Sequence, residues 1–204
     1  MPRDARATRA SLLRAGARLF AEQGIDAART RDIVALAGQA NDSAVTYHFG
    51  SRQGLLAAIL RAGVARMEPA RARDLADLDG TDLDALVAAI VRPLADEARS
   101  EEGRDFLRIV AQVAGLAGVR RHALPEPVAG TALARQLDLL EKHLTARLPE
   151  PVALERMAAL IAFLTAALAD RTAQSAPLLP HDAYTAELTA MLAAALRAPT
   201  PWPA

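Results

Sequence analysis

Apolar residues return along this chain with the period of an α-helix, and no stretch alternates as a strand does. Leu12, Ala15, Leu19 and Phe20 fall at i, i+3, i+7 and i+8, and Gly24 follows where a left-handed residue ends a helix. Thr30 is placed to N-cap a second helix, with Asp32 favourable to its dipole, Ile33, Val34, Leu36 and Ala37 on its apolar side, and Gly38 stopping it. Ser51 can open a longer helix through Leu55, Leu56, Ile59 and Leu60, although Gly54 stands where a capping box has Glu. The span between Gly38 and Ser51 holds a turn and one short helix. Further on, Leu83, Leu86, Val87, Ile90 and Val91 follow a cap at Thr81 or Asp82, and Phe106, Ile109, Val110 and Val113 continue the pattern. Leu133, Leu137, Leu140 and Leu144 resume it after a proline-containing loop. Pro69, Pro93 and Pro125 mark three expected joints. The pattern predicts an all-α protein: an N-terminal three-helix domain over 1–66 and a helical domain over 67–204.

Composition agrees with close-packed helices: 52% of residues are hydrophobic, many of them alanine, and 3% are aromatic. The absence of cysteine excludes disulfides, thiolate zinc sites and cysteine nucleophiles, and fits a reducing cytoplasm. The N-terminal stretch is basic without an apolar core, so no secretion signal is read and a cytoplasmic location is expected. A net charge of zero conceals a split. Residues 1–66 carry ten Arg against five acids, a net +5 balanced by −5 in the remainder. A basic head suggests a polyanionic partner; unevenly scattered surface charge is the plain alternative.

The short helix before Ser51 gives the head its chemistry. A helix, a turn and a second helix offering Asn41, Ser43, Thr46 and Tyr47 make a helix-turn-helix, with Ala44, Val45 and Phe49 left for the core. Asn reads adenine, Ser and Thr hydroxyls bond bases or phosphates, and Arg supplies charge; His48 and Arg52 lie alongside. An ordinary helical corner whose polar residues only cap and solvate would show the same pattern.

The segments "ARLFAEQGIDAART", "TRDIVALAG" and "AVTYHFGSRQGLL" resemble the TetR family of bacterial one-component transcriptional regulators. The resemblance covers the first quarter to third of the chain, the remainder agreeing in length and helical architecture. It implies that Arg29, Thr30 and Arg31 lie near phosphate at the start of the second helix. It implies that Asn41, Asp42, Ser43 and Thr46 face the major groove, that Tyr47 and His48 meet the backbone, that Phe49 is buried, and that Arg52 opens the fourth helix. Between Gly38 and Tyr47 the chain is one residue longer than the commonest family pattern, so the base-reading register within 39–46 stays open. Asp42 is unfavourable beside phosphate but can accept from cytosine or cap the helix.

In such proteins the central helices enclose an effector cavity. Candidate ligand residues are Leu86, Ile90, Phe106, Val110, Val113 and Met157, with Gln112, His122, Arg135 and His143 as polar anchors; apolar stripes are otherwise plain core. "VALERMAALIAFLTAALADR" is apolar nearly all round, though the run from Met157 to Ala169 reads as too short to span a bilayer, so no membrane is expected. Leu160, Phe163, Leu164, Leu188, Met191, Leu192 and Leu196 are the expected homodimer contacts, as a four-helix bundle; the plain alternative is that both helices simply finish the core.

His48, His122, His143 and His181 are scattered, and neither a zinc-protease motif, a nucleophile elbow nor a phosphate-binding glycine loop is present. Glu101 and Glu102 lie in a solvated charge run. No catalytic residue, metal or cofactor is assigned. The favoured reading is a DNA-binding repressor released from a palindromic double-stranded operator by a small, largely apolar ligand. A helical dimerisation or adaptor protein is the alternative, and a helical enzyme stands behind it.

Overall fold

The computed structural model describes residues 2–41, 43–78, 82–116 and 124–201. Among them the regular elements are α1 (Pro2–Gln23), α2 (Thr30–Leu36), α3 (Ala44–Phe49), α4 (Arg52–Ala76), α5 (Leu83–Asp96), α6 (Glu101–Val113), α7 (Ala132–Thr145), α8 (Glu150–Ala173) and α9 (His181–Arg197). Single 3-10 turns extend α5 and α6, at Glu97–Arg99 and Ala114–Leu116.

The glycine stops act as their positions predict: Gly24 and Gly38 adopt φ of +92° and +68°, which only glycine takes without strain. The start of α2 differs from expectation. Arg29 occupies the cap position without a side-chain bond, and Thr30 is already helical. Ser51 does cap α4, its Oγ accepting from the Gly54 amide at 2.9 Å. Glycine stands at 54 because a Cβ there would lie 2.0 Å from the Phe49 carbonyl oxygen, so a capping-box glutamate has no room. Asp82 caps α5 by accepting from the amides of Asp84 and Ala85; Thr81 lies outside the described residues.

Two hydrophobic cores result. The head buries Leu12, Phe20, Ile33, Val34, Val45 and Leu55 from α1 to α4, and it takes in Ile109 from α6. The body core gathers Leu86, Val87, Leu107, Leu140, Met157, Leu160, Leu164, Leu188, Leu192 and Leu196. Helix α4 runs unbroken across residues 66 and 67 and contributes to both.

Pro69 and Pro93 are not joints. Each sits inside a continuous helix, α4 and α5 respectively; of the three, Pro125 lies outside a helix, where its carbonyl accepts from the Val128 amide at 2.9 Å. Pro93 has no N–H for the Ala89 carbonyl one turn earlier. The Arg71 Nη1 donates to that oxygen at 3.2 Å, and its Nη2 to the Ile90 carbonyl at 3.3 Å. A side chain from α4 thus repairs the defect that proline makes in α5.

Helix α8 is longer than its central apolar run. By length and composition alone, with a mean hydropathy of 1.8, it could cross a membrane, yet one side of it is packed into the body core. Gly54→Ala should cost about 1–3 kcal/mol through overpacking against backbone, measured by urea denaturation. Gly115→Ala, with nothing within 4 Å of the added Cβ, should leave the midpoint nearly unchanged.

Candidate functional site

The head presents α3 on its surface. Val45 is buried and anchors the helix, Ala44 and Phe49 are half-buried, and Thr46 and Tyr47 project outward, Tyr47 at 81% exposure. His48 is half-buried, edge-on to Tyr47 with ring centroids 4.9 Å apart. Ser43 and Asn41 are exposed at the start of α3, and Asn41 Oδ1 accepts from both the Ser43 amide and its hydroxyl. That bonding makes the Asn41 oxygen a local cap, leaving its Nδ2 for any outside partner. Asp42 lies outside the described residues.

The basic charge is unequally available. Arg29 and Arg31 are exposed at the start of α2, Arg31 beside its neighbour Asp32 at 3.4 Å. Arg18 pairs with Glu22, Arg61 with Glu126, and Arg66 with Glu97 and Glu102. Arg52, half-buried at the start of α4, turns its guanidinium inward. Its Nε donates to the Ala28 carbonyl at 3.0 Å, its guanidinium lies over the Phe20 ring, and its Nη2 is buried without a hydrogen bond. It staples the segment before α2 to the start of α4.

The body contains a largely apolar cavity of about 200 Å³ between α4, α5, α6, α7 and α8. Of the expected ligand residues Ile90, Phe106, Val110 and Val113 line it. Leu86 and Met157 are core residues that do not reach it. Arg135 is exposed, His143 is buried near Arg147 at the other end of α7, and His122 lies outside the described residues. Gln112 faces the head: its Nε2 donates to the Phe20 carbonyl at 3.1 Å and its Oε1 accepts from the Ile25 amide at 2.8 Å.

Sequence reasoning missed Arg71 and Thr165, which line the cavity, and Gln136, which bonds Arg71 behind it. A signal for Arg71 existed, since Leu60, Val64, Met67 and Arg71 share one helical face. Burial lowers the Arg71 pKa to about 10, Glu68 and Asp74 opposing the shift from a distance. On the head-facing part of α6, desolvation likewise raises the Asp105 pKa, with Arg108 opposing it.

The expected dimer contacts separate into two groups. Leu160, Leu164, Leu188, Leu192 and Leu196 are at most 4% exposed and belong to the chain's own core, where α8 and α9 pack on the body. Phe163 and Met191 are exposed, at 47% and 48%. Around them Ala159, Ala162 and Ala166 of α8 and Ala190 and Ala194 of α9 are exposed as well.

The architecture is a helix-turn-helix head joined through α4 and α6 to a helical body. Residues 12–59 match the sequence model of bacterial regulatory proteins, tetR family. Over nearly the whole chain the fold is that of solved TetR-family regulators. NalD, the secondary repressor of the MexAB-OprM multidrug efflux pump in Pseudomonas aeruginosa, is similar with a TM-score of 0.57 and 19% identity over 93% of this chain and 95% of its own. A gamma-butyrolactone receptor, described as ArpA-like, gives 0.53 and 21% over 94% and 98%. A transcriptional regulator from Rhodococcus sp. Rha1 gives 0.52 and 23% over 92% and 95%. No curated protein matches the chain by sequence.

Proposed function

We propose that the chain is a homodimeric, cytoplasmic repressor in which residues 1–66 hold a palindromic operator and residues 67–204 take up a small, largely apolar effector that releases it. The observation that carries this reading is the double use of α6. Phe106, Val110 and Val113 line the cavity, while Ile109 is buried in the head core and Gln112 bonds the end of α1 and the segment after it. A ligand that displaces α6 therefore has a packed path to the head. By linkage, a tenfold loss of operator affinity on effector binding requires a tenfold preference of effector for DNA-free protein, about 1.4 kcal/mol.

In this reading Thr46, Tyr47 and the free amide nitrogen of Asn41 approach base edges and backbone, His48 meets the backbone, and Arg29 and Arg31 meet phosphate. Selection of bound duplexes from a random pool should return a palindrome. Arg31→Ala and Arg29→Ala should each weaken all sequences alike and reduce the salt slope by about one. Arg52→Ala should leave the slope unchanged and lower stability instead. Absence of duplex binding at any salt concentration would favour the adaptor reading.

The second copy is expected against the exposed faces of α8 and α9, where alanines permit close helix approach and Phe163 and Met191 supply apolar area. Phe163→Asp with Met191→Asp should give a folded monomer by light scattering with weakened operator binding, since two linked heads gain from effective concentration. Helicity should be retained because neither side chain belongs to the core. A wild-type monomer at micromolar concentration would contradict the arrangement.

A further inference from the structure

We infer that the cavity takes a compact monocarboxylic acid, its carboxylate held by Arg71, which Gln136 backs from outside the cavity, and its apolar part by the walls; this rests on the effector reading above. Arg71 is 1% exposed and lines a cavity that is otherwise nearly all hydrocarbon. Its bonded partners are neutral: the Ala89 and Ile90 carbonyls, the Met67 sulfur and Gln136 Oε1, the last at 2.8 Å. The nearby acids do not neutralise it directly. Glu68 accepts from the Ala132 amide at 2.9 Å, and Asp74 is exposed on the same helix.

Repair of the Pro93 defect accounts for the two Nη groups but not for the rest. Arg71 Nε and Gln136 Nε2 are both buried without a hydrogen bond, a costly state for two donors joined through one contact. A carboxylate in the cavity carries the charge and the acceptor that Arg71 lacks. A doubly charged phosphate would bring a second charge into apolar walls with no second cation among the lining residues. The lowered Arg71 pKa agrees with a cation short of solvation. About 200 Å³ is below the roughly 300–1,000 Å³ of drug-sized sites, so the apolar part must be short or a single ring.

Calorimetry on the full chain with benzoate and cyclohexanecarboxylate, each against its primary alcohol and primary amide, tests the inference. The acids should bind at least about tenfold more tightly than their neutral counterparts. Arg71→Met should erase that difference while leaving neutral compounds within about twofold. Should that variant fail to fold, Val110→Phe fills the cavity, keeps Arg71 and should abolish acid binding. Equal affinity for acids and neutral compounds, no acid binding, or full acid affinity in Val110→Phe would each overturn it. Operator titrations separate the two readings. Neutral compounds that release DNA as well as the acids do leave the regulator and remove this inference; acids that bind without altering operator affinity do the reverse.

Discussion

Ile109 is wholly buried, and the core it joins is that of the head, which α6 reaches by packing on α1 and α4. Full burial of such a side chain contributes about 1.5–3 kcal/mol, and the Gln112 bonds to Phe20 and Ile25 add about 0.5–1.5 kcal/mol each. Displacement of α6 by a fraction of its diameter would forfeit part of these terms, because close-packed interfaces do not deform continuously. The same helix is held on α4 by Phe106, whose ring lies where a Cβ on Gly63 would be, 2.1 Å away. Arg66 stacks over that ring and pairs with Glu97 and Glu102. Head, cavity and the middle of α4 therefore share one element.

Arg71 is the second constraint. A buried guanidinium with neutral partners is a poor choice for stability, since the desolvation it suffers is offset only in part by its hydrogen bonds. Its placement follows from two features that are themselves local: the apolar face of α4 that continues through Met67 to position 71, and the carbonyl that Pro93 exposes in α5. Together they hold a cation at the cavity wall, with Gln136 behind it.

The helices and their stops were legible because 3.6-residue periodicity, glycine stops and the Ser51 and Asp82 caps are local properties of the chain. So was the outward face of α3, where Val45 is the inward apolar residue and Thr46 and Tyr47 are not. Direction within the body was not legible. Leu188 and Leu192 satisfy a helical stripe equally well whether it packs on the same chain or on another, and only the tertiary arrangement shows that they pack inward. Gln112 looked like a polar anchor because it lies on the helix of Val110 and Val113, yet its position turns it to the head. Arg52 looked like a surface cation until the Ala28 carbonyl and Phe20 ring claimed it. Pro69 and Pro93 broke the expectation in the opposite sense, as the surrounding packing carried both helices through them.

The proposed switch runs through α6, from the cavity to the head. Ile25 donates its amide to Gln112 Oε1 at 2.8 Å, so its exchange rate reports the joint without any operator or effector. Hydrogen–deuterium exchange resolved at Ile25, compared between the wild-type chain and Val110→Phe, is the direct measurement. Exchange at Ile25 should be faster by about tenfold in the filled variant, as a local opening that becomes about 1.4 kcal/mol easier, with the Val34 amide in the head core unchanged. Equal rates at Ile25 in a folded variant whose cavity is filled would contradict it.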